Sequence, residues 1–442
     1  MSATVVVTEV PNTAWLCPRP LARCPSRFPL IPLLPHRPAL KHLPSEVWSQ
    51  ILEHAFELYG PAGDVPEADA VKLKRGLLLV SKDLNAVALP IFYARVRIGS
   101  LRVLDKFAAR LHAADQRWDS IRRIPYSAPG RWVQTLDLEP MHCASSEEVL
   151  HLDTVLNRIF PLIPFLSNLI VNAHTHLSRR ALFTFTYRDG VQNIRVLKGV
   201  QLVTSARTDD DTFVELLRAC TRLEELEIMG TGIDPTEMPA YDDDGMDIPS
   251  VHPLHLPFLR KLVALSMPSS AALFALLCSP LPALRHLTLT PYDEDTVPCS
   301  LVPRFIATHG GKLTSLHLYT VKQWPTVLFP TPETLLDICP SLRHASLELP
   351  LPRLSLSRVE RHELEILSIP RPIQEFWGVL ERLLPRLPKL RFVRARDVKW
   401  LGEGMSLRAL QTGVQGEMSL WRRRLGRRGI QLLDAEWKPG TD

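Results

Sequence analysis

The chain has 442 residues, of which 45% are hydrophobic and 22% charged, and its formal net charge is only +5. This composition excludes wholesale disorder, because there is ample apolar surface to bury and little net charge. The 20 glycines are too few for a collagen, whereas the 39 prolines exceed average usage. Such a length predicts two to four domains or one elongated array.

The cysteines and the hydropathy indicate where the protein functions. The seven cysteines form an odd, dispersed set without a C-x-x-C pair, which favours neither a disulfide framework nor a zinc module. No apolar run is long enough to span a membrane, and the N-terminal residues lack the order of a signal peptide. We therefore expect a reducing, intracellular environment, in the cytoplasm, the nucleus or both.

The N-terminal segment, residues 1–38, contains eight prolines, ending in LARCPSRFPLIPLLPHRP. Proline removes amide donors and blocks helix formation. The spacing therefore predicts a disordered or polyproline-like leader.

Helical periodicity begins directly after this leader. Pro44 and Ser45 predict a helix start, with Glu46 at the positive end of the helix dipole. The apolar stripe of this helix is wider than one small helix can bury within itself. A loop follows, and residues 76–98 then predict a second helix, a turn at Pro90 and an extended stretch. A module of about sixty residues depends on a partner for part of its burial.

These two helical motifs, LPSEVWSQIL and LLLVSKDLNAVALPIFY, resemble an F-box in the form common in fungal F-box proteins. That family uses the module to bind the adaptor subunit of cullin–RING ubiquitin ligases. The resemblance thus implies an S-phase-kinase-associated type adaptor and a cullin scaffold as partners. Ser81 stands where Cys is common in the family, and Leu84 where Trp is common. The adaptor-binding residues implied by the resemblance are Leu43, Pro44, Val47, Ile51, Leu52, Leu79, Val80 and Leu84. The alternative is an ordinary helical hairpin that caps the following residues.

The remainder repeats one pattern, in which an apolar residue is followed by two variable residues, an apolar one, a variable one and an apolar one. The second apolar position recurs about every 29 residues, at the long end of the leucine-rich-repeat range. These second positions are Leu136, Leu169, Leu197, Leu226, Leu262, Leu287, Leu316, Ala345, Leu367 and Val393.

The segments between the copies have helical periodicity. Ser145 and Glu148 have capping-box spacing, and Thr331 with Pro332 predicts another helix start. Three cysteines are expected at helix ends as small buried residues, namely Cys220, Cys278 and Cys339. Each repeat is thus a helix, a short turn and a strand, and stacking buries one continuous core.

The predicted fold is therefore of the α/β class. A helical F-box-like module over residues 39–98 is followed by a leucine-rich-repeat-like solenoid over residues 99–442, with a parallel sheet on its concave side. A helix over 404–425 and a strand over 429–437 are predicted to close the array.

The basic C-terminal region leaves several interpretations open. Residues 382–428 contain thirteen Lys or Arg against Asp397, Glu403 and Glu417. The run RRRLGRR at 422–428 is typical of a nuclear localisation signal, a phosphate patch or, more commonly, a solvated helix end. A nucleic-acid partner for the region is a weaker third class of function.

No catalytic motif is present: the sequence has no G-x-S-x-G, H-E-x-x-H, Walker or G-x-G-x-x-G pattern. We expect no enzyme activity, no cofactor and no metal. Residues 309–312 (HGGK) fit a helix-to-strand turn, and residues 174–176 (HTH) a loop after a strand. Asp209–Asp211 fit a helix N-terminus, and Asp242–Asp244 belong to a long insertion over 232–250.

Alternation along the predicted strands identifies the side chains on the concave face. The face grades from acidic to basic along the chain, which suits protein recognition. The predicted target-binding residues are Glu225, Glu227, His286, Thr288, His317, Tyr319, His344, Glu348, Arg394 and Arg396. The sequence thus favours a ubiquitin-ligase substrate receptor, monomeric apart from its complex, and the alternative is a non-ligase repeat scaffold. The target protein is not identified by the sequence.

Overall fold

The structure is a computed structural model that describes residues 43–58, 67–116, 129–173, 175–202, 211–230, 252–267, 270–291, 300–321, 330–357, 361–400 and 413–440. Several sequence predictions lie outside these residues: the leader, the insertion over 232–250, Asp209 and His174. The chain divides into an N-terminal unit, Met1–Leu89, and a C-terminal unit, Pro90–Asp442. The predicted module boundary, between residues 98 and 99, lies further along the chain.

The N-terminal unit is helical. It contains α1 (Ser45–Leu58), α2 (Glu67–Leu78) and the first part of α3 (Lys82–Ala94). The predicted helix start at Ser45 is confirmed, with Glu46 in the first turn. The ammonium of Lys74 lies 5.5 Å from the ring centre of Phe56, which joins α2 to α1.

The predicted second helix is wrong in two respects. First, it is interrupted, because the Ser81 hydroxyl accepts the Leu84 backbone N–H at 3.1 Å and so begins a new helix. The Asn85 side-chain amide donates to the Leu78 carbonyl at 2.7 Å, which closes the preceding helix end.

Second, the predicted turn at Pro90 does not form, and α3 continues through Pro90 to Ala94. A proline inside a helix removes the hydrogen bond to the carbonyl four residues earlier. That carbonyl belongs to Ala86, an exposed residue, so water can satisfy it.

The C-terminal unit contains a sheet of twelve parallel strands, arranged in sequence order from β1 to β12. This confirms the predicted α/β solenoid with a parallel sheet. The strands are β1 (Arg95–Arg97), β2 (Thr135–Asp137), β3 (Asn168–Ile170), β4 (Val196–Leu202), β5 (Glu225–Gly230), β6 (Lys261–Leu265), β7 (His286–Leu289), β8 (Ser315–Leu318), β9 (His344–Ser346), β10 (Ile366–Ile369), β11 (Phe392–Ala395) and β12 (Gln431–Leu433).

The register confirms the repeat. All ten second apolar positions pair with one another across neighbouring strands, from Leu136 opposite Leu169 to Leu367 opposite Val393. None of the ten is more than 2% exposed. Because strand side chains alternate, this buried row leaves the residues on either side of it on the opposite face. The extended stretch predicted after Pro90 contains β1, a strand that the repeat pattern did not include.

Helices cover the buried side of the sheet. They are α4 (Leu101–Gln116), α5 (Pro129–Trp132), α6 (Ser146–Ile159), α7 (Arg179–Thr186), α8 (Thr212–Ala219), α9 (Ala271–Leu277), α10 (Val302–His309), α11 (Leu335–Ile338), α12 (Gln374–Leu383) and α13 (Gly413–Gly426). The predicted closing helix is confirmed by α13 from Gly413 onward, while residues 404–412 lie outside the described residues. The predicted strand over 429–437 forms only over Gln431–Leu433, as β12. A short 3-10 helix after His309 confirms the predicted turn.

Helix capping follows the predictions with one exception. Ser145 accepts the Glu148 backbone N–H at 3.2 Å, while the Glu148 carboxylate accepts the Ala144 N–H at 2.6 Å. Asp211 caps α8 as expected. The predicted cap at Thr331 is wrong, because Pro332 first closes a turn with the Leu335 N–H and α11 begins only at Leu335.

Two of the three predicted buried cysteines are buried. Cys220 and Cys339 end their helices in the core, and burial raises the pKa of both thiols to about 12. Cys278 also ends a helix but is exposed, which corrects the prediction. Ser279 occupies the buried position instead, donating to the Ala275 carbonyl and accepting the Leu254 N–H.

Candidate functional surfaces

The face of the sheet opposite the helices, hereafter the strand face, contains the predicted target-binding residues. Each of the ten lies in a strand or just after one, at a position that alternates with the buried row. None of them is buried, and Tyr319 is 42% exposed. The alternation that predicted this face therefore holds along β5 to β11.

Two histidines form the centre of a polar cluster on this face. His317 Nε2 lies 3.2 Å from His344 Nδ1, and His344 Nε2 lies 2.9 Å from the Ser368 hydroxyl. The three residues come from β8, β9 and β10, so only the stacking of repeats brings them together. Ser368 is 1% exposed, so its hydroxyl holds the imidazole in place and is not open to a ligand.

Arg396 forms an ion pair with Glu348, with Nη2 and Oε2 separated by 2.6 Å. The same guanidinium donates to the Ser346 hydroxyl and to the Leu318 carbonyl through Nη1. The two side chains are only 16% and 14% exposed, so removing either one would leave a desolvated charge. The pair fixes the position of the guanidinium across three strands.

Arg394 is held by the C-terminal segment of the chain. Its Nη2 donates to the Ala435 carbonyl at 2.6 Å, and its guanidinium lies 4.3 Å from the ring centre of Trp437. Arg396 lies 5.8 Å from the ring centre of Tyr319. Two exposed aromatic rings thus flank the two arginines. We call this cluster the His–Arg patch, formed by His317, Tyr319, His344, Ser368, Arg394, Arg396 and Trp437.

The electrostatic field at the histidines is positive. Burial first, and then the charges of Arg396, His286, Arg394 and Lys261, lower the pKa of His317 to about 4. Burial also lowers the pKa of His344 to about 4, with His317, Arg394 and His286 adding to the effect. Both imidazoles are therefore neutral at pH 7.

Acid should destabilise the protein through these groups. A folded-state pKa of about 4 lies below the unfolded value of about 6.5, so the unfolded chain binds more protons between these pH values. Stability is thus complete above pH 6.5 and is lost as the pH falls towards 4. At pH 5 we expect a loss of about 1 to 2 kcal/mol per histidine in the free energy of unfolding by urea, relative to pH 7.5. The double variant His317→Gln, His344→Gln should show a smaller difference between the two pH values, and an unchanged difference would contradict this assignment.

The two acidic residues of β5, Glu225 and Glu227, lie apart from the His–Arg patch. Glu225 pairs with Lys198 at 2.7 Å, and the hydrogen bond from that lysine lowers the pKa of the glutamate. Glu225 and Glu227 are on β5, three strands from β8, so the structure does not bring them to the histidines. His286 and Thr288, on β7, lie between the two regions.

The sequence predictions missed further residues of the strand face, among them Lys261, Ser368 and Trp437. Lys261 and Ser368 follow the same alternation as the predicted residues, so extending the period-two rule to β6 and β10 would have found them. Trp437 had no such signal, because it reaches the face by a turn after β12.

The implied adaptor-binding residues are mostly exposed. Leu79 and Val80 are 85% and 68% exposed at the junction of α2 and α3, and Val47 and Ile51 are 38% and 44% exposed on α1. Leu43 and Pro44 are also exposed, and Leu84 is half-buried. Leu52 is the exception, because it is buried at 3% exposure, so it is not available for docking in this conformation.

Other classes of site receive no support from the described part of the chain. It contains no cluster of His, Cys, Asp and Glu that could hold a metal ion. Nor does any helix there have the length and apolar character needed to cross a membrane.

The chain is similar to solved structures, but only at low sequence identity. No protein-family model and no curated protein matches the chain. A chain of the mouse RP105/MD-1 complex is similar over 62% of this chain and 52% of that one, with 14% identity and a TM-score of 0.27. A chain of the Rad7 and Elc1 complex in yeast is similar over 82% of this chain and 91% of that one, with 14% identity and a TM-score of 0.30.

This chain thus spans about half the length of the mouse chain. Both TM-scores are below 0.5, so the assignment to the class of leucine-rich-repeat-like α/β solenoids depends on the strand order and register of the chain itself.

Proposed function

We propose that this chain is the substrate-recognition subunit of an F-box type cullin–RING ubiquitin ligase. Its N-terminal unit would bind the adaptor, and its strand face would bind a target protein. The chain itself would perform no chemistry, since its contribution is to hold the target near the ligase. This role would place it in the cytoplasm or the nucleus.

The observation that carries the proposal is the exposed apolar surface of the N-terminal unit. α1 has two apolar sides, one buried through Leu52 and Phe56 and the other exposed through Val47 and Ile51. Leaving large apolar side chains in water forfeits about 1.5 to 3 kcal/mol each relative to burial. These exposed positions coincide with the motif that resembles an F-box, and the resemblance names the adaptor as the partner that covers them.

The test is to co-purify the chain with the adaptor, comparing wild type with the double variant Leu79→Asp, Val80→Asp. Both positions are exposed, so the variant should fold, whereas a charge at the buried Leu52 would disrupt packing. We expect adaptor affinity to fall by about 100-fold or more, since two apolar contacts are lost and two charges desolvated.

Leu150→Asp is the matched control, because Leu150 is similarly exposed, at 67%, but lies on α6 of the C-terminal unit. It should leave adaptor binding unchanged. Equal adaptor binding by wild type and the double variant would refute the docking assignment and favour the non-ligase scaffold.

A further inference from the structure

Two cations of the strand face, Lys261 and Arg394, form no ion pair among the described residues. Glu225 lies opposite Lys261 on β5, but its carboxylate pairs with Lys198. Arg396 is neutralised by Glu348, but within the described residues no carboxylate lies within ion-pair distance of Arg394 or Lys261. The carboxylate with the largest electrostatic effect on Arg394 belongs to Asp434. It accepts the backbone N–H groups of Glu436, Lys438 and Trp400. Arg394 and Lys261 are therefore the charges available to a ligand.

Neighbouring groups confirm the sign of the field between these two cations. Each ionisable group that perturbs the pKa of His317 is basic, and this includes both Lys261 and Arg394. The pKa of Arg394 is itself lowered, by burial first and then by Arg396, while Asp434 and Asp397 act in the opposite direction. An anionic group on this part of the strand face would meet a favourable potential.

The separation of the two cations sets a length for the ligand. Lys261 is on β6 and Arg394 on β11, which are five strand spacings apart, or about 24 Å. An extended peptide covers that distance with about seven residues. Tyr319 and Trp437, 42% and 44% exposed, offer rings to its apolar side chains.

The charge density favours a peptide over a nucleic acid. A single strand would place several phosphates within the same span, and its affinity depends on a matching number of cations. Only two unpaired cations are present among the described residues of the strand face from β6 to β11, and Glu227 lies unpaired on the adjacent β5. Such a sparse pattern matches separated carboxylates better than a continuous polyanion.

We propose that the strand face between β6 and β11 binds an extended acidic peptide segment of the target, running across the strands. One acidic side chain would pair with Arg394 and a second, about seven residues away, with Lys261. The aromatic rings of Tyr319 and Trp437 would contact the apolar residues near the Arg394 end. This inference rests on the proposed function, which assigns the target to the strand face.

The experiment is a selection of random 12-residue peptides displayed on phage against the full chain, followed by affinity measurement for the peptides recovered. We expect enrichment of peptides with two acidic residues six to eight positions apart. Arg394→Gln and Lys261→Gln should each lower the affinity of a selected peptide by about tenfold, which corresponds to about 1.4 kcal/mol. Lys261 forms no ion pair or side-chain hydrogen bond among the described residues and is only half-buried, so its variant should fold even if Arg394→Gln weakens the C-terminal segment.

Arg391→Gln is the control, because Arg391 is exposed beside β11 but outside the strand. It should bind the peptides as wild type does. Recovery of only neutral or basic peptides, or no binder at all, would overturn the proposal. So would peptide affinities that are unchanged in both Arg394→Gln and Lys261→Gln. If a 20-nucleotide oligo-uridine RNA binds with the same dependence on Arg394, the ligand is a nucleic acid and the proposal of a peptide ligand is wrong.

Adaptor binding, measured on the same preparations, separates this inference from the proposed function. If Arg394→Gln and Lys261→Gln retain the adaptor while acidic peptides fail, the acidic class is wrong but the ligase role stands. If the adaptor does not bind wild type, the ligase role is wrong whatever the peptides show.

Discussion

Replacing Gly199 with alanine should destabilise the solenoid by about 3 kcal/mol or more. Gly199 lies in β4, where the pairing with β5 shifts between Leu197 and Val200, and its φ is +71°. A Cβ atom there would lie 1.8 Å from the carbonyl oxygen of Val171, which is backbone and cannot move aside cheaply. Steric overlap and backbone strain therefore add to one another.

The measurement is the free energy of unfolding by urea, with Gly378→Ala as control. Gly378 lies in α12, and a Cβ there would meet nothing within 4 Å. The control should be neutral or stabilising by about 0.5 to 1 kcal/mol, because alanine favours helix. Equal stability of wild type and Gly199→Ala would show that β4 lacks the shifted pairing.

Replacing Arg188 with methionine should cost about 2 to 4 kcal/mol. Arg188 is only 6% exposed, and it donates to the carbonyls of Ile163 at 2.7 Å and Leu166 at 3.2 Å. Its guanidinium also lies 4.7 Å from the ring centre of Phe185. Methionine keeps much of the volume, but the Leu166 carbonyl loses this donor and the Ile163 carbonyl keeps only the backbone N–H of Leu166.

Burial lowers the pKa of Arg188 to about 10, so the side chain stays charged at pH 7 and the effect should persist across neutral pH. Arg180→Met is the control, since Arg180 is exposed on the neighbouring helix α7. It should change the free energy of unfolding by less than about 0.5 kcal/mol. A similar small change in Arg188→Met would mean that water replaces the guanidinium.

The leucine pattern was sufficient to predict the fold, because each repeat is a local unit. A residue such as Leu226 is buried by its own strand and its two neighbours, so the period of the pattern fixes both face and register. Helix ends were harder to predict. The exposed Ala86 carbonyl allows α3 to continue through Pro90, and a local turn at Pro332 delays the start of α11 beyond Thr331. Cys278 shows the same limit, because Ser279 competes for the buried position.

The candidate site could be predicted only in part. Alternation identified His317, His344 and Arg394 as neighbours of the buried row, but it gives no information on contacts between distant segments. Arg394 meets Ala435, and Arg396 meets Leu318, 78 positions earlier in the chain. These contacts depend on how repeats stack and on how the C-terminal segment turns back, which single-repeat patterns do not encode.

The proposal that the N-terminal unit binds the adaptor while the strand face binds the target can be tested in a single measurement. The tagged chain is purified from cells, and the adaptor and other bound proteins are quantified for wild type, for Leu79→Asp with Val80→Asp, and for Lys261→Gln with Arg394→Gln. We predict that the first variant loses the adaptor and keeps the target, whereas the second keeps the adaptor and loses the target. Loss of both partners in either variant, or full retention of the adaptor by the first, would contradict a chain that bridges the two.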